Sequence, residues 1–289
     1  MIDSGLSGKN ALITGANHGI GAATALAMAA QGANVFLTYY HPHTEDSPAQ
    51  LAEMRNSTTG GPELYHAMQM QPIDVVLKAV EQAGGRGAAH AADLGVSANI
   101  PVLFDRCEDA FGPVDILICN HTYCVNETFD PSEVTSDGFP VSLVSEPIID
   151  AHFEVNARAV ALLMREYVTR YLGREASSGR IINISTDAAH SHPANVSYAA
   201  SKHAIESYTR SAAVELGRYG ITVNNVAPGP VQTGYITPAA VQEIAAATPL
   251  GRVGRPDDIA DAVVFLASHQ ARWLTGQLLY VGGGWRIPQ

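Results

Sequence analysis

The chain is short of cysteine, short of positive charge and without a long apolar run, and each shortage closes off a class of function. Its 289 residues hold three cysteines, Cys107, Cys119 and Cys124, an odd number with no C-x-x-C pair. A disulfide framework is therefore not expected. Cys119 and Cys124 are close enough in sequence to meet across a loop, but they are read as reduced thiols, with Cys124 a candidate for pocket lining. Seventeen basic residues stand against 28 acidic ones, a formal charge of −11. That balance argues against nucleic acid or an anionic membrane as partner, and against docking of an acidic carrier protein. The opening Met1-Ile2-Asp3-Ser4-Gly5 has no basic region or apolar core. No later stretch approaches the roughly 20 apolar residues of a membrane span, so a cytoplasmic location is expected.

What is present is an alternation of short apolar runs with longer helical patterns. Strands are predicted at Asn10–Ile13, Val35–Thr38, Asp115–Cys119, Arg180–Ser185, Thr222–Ala227 and Leu278–Val281, and helices over 148–172, 194–219 and 256–268. This spacing predicts an α/β fold, a doubly wound parallel sheet covered on both faces, and the length suits one domain over 1–289.

Two sets of residues carry chemistry. After the first strand comes Thr14-Gly15-Ala16-Asn17-His18-Gly19-Ile20-Gly21, followed by alanine-rich sequence to Gln31. Strand, tight glycine turn and helix let a pyrophosphate approach the backbone amides at a helix N-terminus. The spacing is G-x-x-x-G-x-G, which departs from the strict dinucleotide fingerprint. Far downstream, Tyr198 and Lys202 in Y-A-A-S-K fall about one helical turn apart. A nearby ammonium favours a phenolate and draws a tyrosine pKa down, making Tyr198 a candidate acid or base. Ser185, at the end of the run from Arg180, is placed to hydrogen-bond a substrate oxygen.

Together these residues resemble the short-chain dehydrogenase/reductase family, from Leu6 to about Trp285, with a likeness to its 3-oxoacyl reductase subgroup. The family's glycine motif falls on Thr14, Gly15, Gly19 and Gly21, its N-A-G segment on Asn120-His121-Thr122, and its P-G motif on Pro228-Gly229. The resemblance implies a Rossmann-type, mostly parallel seven-stranded sheet flanked by helices, and a catalytic set of Asn156, Ser185, Tyr198 and Lys202. It also implies cofactor contacts from Thr14, Gly15, Asn17, His18, Gly19, Ile20, Gly21, Tyr39, His41, Asp93, Leu94, Asn120, His121, Tyr198, Lys202, Pro228, Gly229, Val231 and Thr233. The implied reaction moves a hydride between a nicotinamide and a carbonyl or secondary alcohol, with Tyr198 exchanging the proton, Ser185 orienting the oxygen and Lys202 holding the ribose. The alternatives are a 3-oxoacyl-carrier reductase and a non-catalytic nucleotide sensor. Helices of this family commonly join subunits, so a homotetramer is expected, or a dimer, through apolar positions that include Val160, Leu163, Met164, Ala212 and Val214.

The sequence departs from the family at His121-Thr122, where a β-branched residue replaces glycine beside the expected ribose, and at Gly282-Gly283-Gly284, where the usual carboxylate is missing. After the second strand, Thr38-Tyr39-Tyr40-His41-Pro42-His43 offers no carboxylate to select NAD and no Arg or Lys for a 2′-phosphate. His41 or His43 is the candidate phosphate ligand, so NADP is preferred with NAD possible. Two excursions are expected, at 41–71 and 123–147, with a substrate lid at 230–250. The first is read as a surface excursion with one short helix after Pro48, its Met54, Met68 and Met70 packing over the adenine side or another subunit. His190-Ser191-His192 lies by the substrate site, but H-x-H alone is a weak metal signal and no metal is expected.

Overall fold

The computed structural model describes residues 3–132 and 139–285. The six predicted runs all become strands and three more join them, so that the described residues hold β1 (Asn10–Thr14), β2 (Asn34–Tyr39), β3 (Arg86–Ala91), β4 (Ile116–Cys119), β5 (Glu127–Thr128), β6 (Ser142–Leu143), β7 (Gly179–Ile184), β8 (Ile221–Pro228) and β9 (Leu278–Val281), with β3, β5 and β6 the unpredicted ones. Seven of them form one sheet in the order β3-β2-β1-β4-β7-β8-β9, every pairing parallel. Successive strands move outward in opposite directions from β1 and β4, which leaves a crevice beyond their carboxyl ends.

Parallel neighbours need crossover helices, and these bury both faces. The helices are α1 (Gly19–Ala30), α2 (Pro48–Arg55), α3 (Pro62–Gln69), α4 (Ile73–Gln82), α5 (Asn99–Phe111), α6 (Glu146–His152), α7 (Ala159–Leu172), α8 (Val196–Leu216), α9 (Pro238–Ala247) and α10 (Pro256–Ala267). Ile182 and Ile184 of β7 join the core shared with α1, α4 and α10, whereas Ile181 joins the core of α5, α7 and α8. That alternation follows from the two-residue period of a strand. It later decides which hydroxyl reaches the site.

The structure changes several expectations. The helix predicted over 148–172 is interrupted between α6 and α7 by a π turn, Phe153–Arg158, which carries Asn156. Val160, Leu163 and Met164 are buried within the chain's own core rather than offered to another subunit, while Val214 is exposed. The first excursion holds two helices. Ser47 caps α2 in a reciprocal box with Gln50, and α3 starts at Pro62.

This excursion is docked and not adrift. The Gly61 N–H donates to Gly234 O at 2.8 Å, and a Cβ on Gly60 would lie 1.9 Å from Ile236 O, so only glycine permits that approach. A Cβ on Gly234 would sit 3.2 Å from Met68 Cγ, which places Met68 against the 230–250 segment rather than over an adenine site. The second excursion forms the parallel pair β5 and β6. Its Asp137-Gly138 corner lies outside the described residues. Among the described residues no helix is long and apolar enough to cross a membrane.

Candidate active site

The glycine turn closes over the crevice because side chains would block it. Gly15 has φ +62°, and a Cβ there would lie 2.8 Å from His121 Cα; a Cβ on Gly21 would lie 2.1 Å from Gly15 O. Asn120 Nδ2 donates to Gly15 O at 2.8 Å, tying the turn to the end of β4. Helix α1 starts with neither a side-chain cap nor an acidic residue in its first turn, so its free amides suit an anion. Beside them His18 is half-buried and held neutral, its pKa pushed down to about 4 by desolvation, and its buried Nδ1 has no hydrogen-bond partner. An unmatched polar atom there fits a phosphate or ribose oxygen.

Gly15, Asn17, His18, Gly19 and Ile20 line a crevice of about 800 Å³, together with Tyr39, Asp93, Leu94, Asn120, His121, Pro228, Gly229, Val231 and Thr233. Thr14 and Gly21 were expected as contacts and instead support the wall from behind. The Thr14 hydroxyl accepts from Asn120 N at 2.9 Å and His121 N at 3.2 Å, which leaves its own proton for His121 Nδ1 at 2.7 Å. His121 Nε2–H then donates to Val155 O at 3.0 Å. Burial first and Lys202 second push the His121 pKa down to about 3, so this imidazole is a neutral strut. Its place at the turn is therefore explained by bracing. Asp93 lines the crevice while its Oδ1 accepts from Gly95 N at 2.8 Å.

His41, the expected phosphate ligand, is used elsewhere. Its Nε2 bonds Gln71 O at 3.1 Å and its ring packs against Tyr39, so Thr38, Tyr39, Tyr40 and Pro42 form the crevice wall there. His43 is exposed and outside that wall. Asn17 and Gln71 exchange further bonds between the glycine turn and the excursion: Asn17 Nδ2 to Gln69 O at 2.7 Å, and Gln71 Nε2 to Asn17 O at 2.7 Å.

At the other end of the crevice stand Ser185, Thr186, Tyr198 and Lys202. Lys202 is buried, its Nζ donates to Ile184 O at 2.9 Å and lies 5.9 Å from the Tyr198 ring centre. Desolvation lowers its pKa to about 8, so it stays mostly charged at neutral pH. Burial is the largest influence on Tyr198 as well and raises its pKa. The downward shift expected from Lys202 is thus outweighed, and the phenol is protonated.

The hydroxyl beside that phenol is Thr186. Tyr198 and Thr186 share a side-chain hydrogen bond, whereas Ser185 Oγ donates to Glu206 Oε1 at 2.6 Å. Asn183 and Ser185, two apart along the strand direction, both reach the middle of α8, bonding Thr209 and Glu206, whereas Thr186 meets Tyr198 in the first turn of that helix. The adjacent Ser-Thr pair was the available signal, but only the register of β7 distinguishes its members.

Asn156 is also withdrawn from the wall. Its Oδ1 accepts from Tyr123 N at 2.7 Å, and its Nδ2 donates to Tyr123 O and Ser201 Oγ, both at 2.9 Å. Glu127, which sequence reasoning did not single out, is fully buried, and its Oε1 accepts from Ser197 N at 2.7 Å. It caps α8 from a remote strand, one residue before Tyr198. The substrate side is completed by Tyr65, Gln69, Tyr123, Cys124 and Val125. Cys119 and Cys124 are both free, and Cys124 Sγ accepts from Asn195 Nδ2 at 3.2 Å.

Comparison with known proteins places the chain in a family. A family model described as enoyl-(acyl carrier protein) reductase matches residues 60–286, and one described as short chain dehydrogenase matches 9–83. The chain is 33% identical over 286 residues to a short-chain type dehydrogenase/reductase of Picea abies, covering 96% of this chain and 93% of that protein. The chain belongs to the short-chain dehydrogenase/reductase family. Another relative, a hydroxynaphthalene reductase-like protein of Metarhizium anisopliae, is 32% identical over 96% of this chain and 95% of its own length.

Among solved structures, a double mutant of a Serratia marcescens short-chain dehydrogenase/reductase superposes with TM-score 0.76 at 29% identity, covering 98% of this chain and 99% of that one. A blue fluorescent protein from a metagenomic library, in complex with NADPH, superposes with TM-score 0.74 at 30% identity over the same shares. As a short-chain dehydrogenase/reductase the chain is an oxidoreductase of small molecules. Its glycine turn and crevice are those of a protein that takes a nicotinamide nucleotide.

Proposed function

We propose that the chain reduces a carbonyl compound to a secondary alcohol, or runs the reverse reaction, with Tyr198 as the proton donor and Thr186 as the hydroxyl that orients the reacting oxygen. The Tyr198–Thr186 hydrogen bond at one end of a crevice that starts at the glycine turn carries this reading. The 15–20 turn, Asn120, Pro228-Gly229 and Thr233 would hold a nicotinamide nucleotide, whose chemistry would be to supply or accept the hydride.

The residues of the chain do the rest. The protonated phenol of Tyr198 gives its proton to the substrate oxygen as negative charge develops there. Lys202, charged and anchored on Ile184 O, stabilises the phenolate left behind. Thr186 donates to the same oxygen once the substrate displaces its bond to Tyr198. Glu127 and Asn156 act as positioning residues: one fixes the first turn of α8, the other the backbone of Tyr123. The 230–250 segment serves as the lid that excludes water.

Tyr65 meets Tyr235 edge-on at 5.2 Å, and Phe139 stacks on Tyr235 at 4.1 Å. Tyr235 and Phe139 thus back Tyr65, which lines the crevice with Tyr123 and Val125, and this wall suits a substrate with a flat apolar part. NADP is favoured over NAD. No carboxylate stands at the end of β2 to repel the phosphate, and with His41 bonded to Gln71 no cation stands there to hold it. Apolar side chains left exposed, Val214 at 86% and Trp273 at 95%, support a homotetramer, with a dimer as the alternative.

The direct test follows absorbance of NADPH and of NADH with a panel of aromatic and aliphatic ketones and the matching alcohols. Turnover with aromatic ketones and a modest NADPH advantage is expected. Absence of turnover with either nucleotide in both directions overturns the proposal. Turnover confined to carrier-bound acyl substrates would replace it with the 3-oxoacyl reductase reading.

A further inference from the structure

We propose that His190, His203 and Glu206 form a binding site for one divalent transition metal ion, zinc by preference, on the far side of Ser185 from the crevice. None of the three lines the crevice, so the site is separate from the one above.

Glu206 is the reason to look there. It lies on α8 two turns after Tyr198 and is 1% exposed. Its Oε1 accepts the Ser185 hydroxyl at 2.6 Å, but its buried Oε2 accepts no hydrogen bond. A buried carboxylate oxygen without a partner is costly, and an adjacent cation removes the cost. That oxygen faces His203 Nδ1 at 3.5 Å. From the loop after β7, His190 brings its ring to 5.1 Å from that of His203, tilted by 58°. One ring nitrogen of each histidine and one carboxylate oxygen all lie within 4.8 Å of one another.

Tetrahedral zinc bound at about 2.0–2.1 Å places its ligand atoms roughly 3.4 Å apart. The His203–Glu206 separation already matches. His190 is exposed and must move by only about an ångström to complete the set. Two imidazoles and a carboxylate favour zinc over magnesium or calcium, which prefer all-oxygen shells. The surroundings are also those of a metal ligand set: Ser185 fixes the carboxylate from its other oxygen, and the Tyr280 hydroxyl lies 3.4 Å from His190 Nε2. A bound ion would clamp the loop from Ser185 to Asn195 onto α8, and so lock the segment that presents Thr186 to Tyr198.

The test uses the full-length protein, stripped with a chelator. Zinc is titrated by calorimetry, cobalt by visible absorption, and thermal unfolding is followed with and without zinc. One zinc ion per chain with micromolar affinity is expected, a tetrahedral cobalt spectrum, and a higher Tm in the presence of metal. His190→Ala, His203→Ala and Glu206→Gln should each weaken binding at least tenfold. Glu206→Gln keeps an acceptor for Ser185 and removes the anionic ligand; if it does not fold, the two histidine variants decide the matter. Absence of saturable binding, or binding unchanged in the histidine variants, overturns the proposal and leaves Glu206 with Ser185 and the nearby His203 ring as its neighbours.

Discussion

The two excursions follow the carboxyl ends of β2 and β4 and brace one crevice by different means. The 41–71 excursion is tied to the glycine turn by amides, Asn17 and Gln71 exchanging bonds with backbone carbonyls, and to the lid by glycines that allow backbone contact. The 123–147 excursion is tied to the catalytic helix by a buried carboxylate, Glu127 on Ser197 N, and by Asn156 on Tyr123. Amide bonds alone hold the glycine-turn end, while the end at α8 adds a buried carboxylate to an amide. Charged hydrogen bonds are about twice as strong as neutral ones, and severing them costs correspondingly more. Damage at the first excursion should therefore appear in cofactor KM, and damage at the second in kcat.

Tyr198→Phe sets the outer limit for the proton-transfer end. It should lower kcat by about a thousandfold while the affinity for NADPH, read by fluorescence, changes little. An equal loss of nucleotide binding would mean that the tyrosine holds the fold or the cofactor instead. Next in size is the hydroxyl pair. Thr186→Val should cost about a hundredfold in kcat, and Ser185→Ala less than about tenfold. The reverse ranking would return the orienting role to Ser185.

Acid should act through the strut between the two ends. His121 and His18 have pKa values lowered to about 3 and about 4 in the folded chain, against an ordinary 6.5. The unfolded chain then binds more protons below pH 6.5, so stability is present above that pH and is lost as pH falls toward those values. At pH 4.5 His121 alone should account for roughly 2 kcal/mol of lost stability, visible in denaturant titrations. His121→Asn should flatten the dependence between pH 6.5 and 4.5, and an unchanged slope would exclude His121 as its source. Lys202 behaves in the same sense at higher pH. With its pKa lowered to about 8 from 10.5, its burial opposes folding fully below pH 8 and progressively less as pH rises above it.

The smallest effects separate the excursions from each other. Glu127→Gln should destabilise by about 1 kcal/mol and lower kcat several-fold with cofactor KM unchanged. Asn17→Ala should raise cofactor KM several-fold with kcat unchanged. If both variants moved the same kinetic constant, the division of labour between the excursions would be wrong.

Much of this was legible in the residues. The order of strands and helices, the glycine turn and the Tyr198/Lys202 pair follow from period and spacing, because a strand or a helical turn is a local object. Three features were not legible. Ser185 and Thr186 are both hydroxyls at a strand end, and their assignment needed the register of β7 against α8. Glu127 acts about 70 residues from Ser197 in sequence, so no local pattern announces it. His41 reads as a phosphate ligand until Gln71 folds back and takes its ring.

The sequence by itself determined the doubly wound sheet, the place of the glycine turn and the one-turn spacing that pairs Tyr198 with Lys202. These depend on residue type and on spacings within one or two elements, which hold wherever the element packs. Only the tertiary structure decided which hydroxyl meets Tyr198, that its phenol stays protonated beside a lysine, and how the excursions are anchored. Those outcomes depend on burial and on contacts between residues far apart in the chain, where desolvation and hydrogen-bond competition override what any single segment prefers.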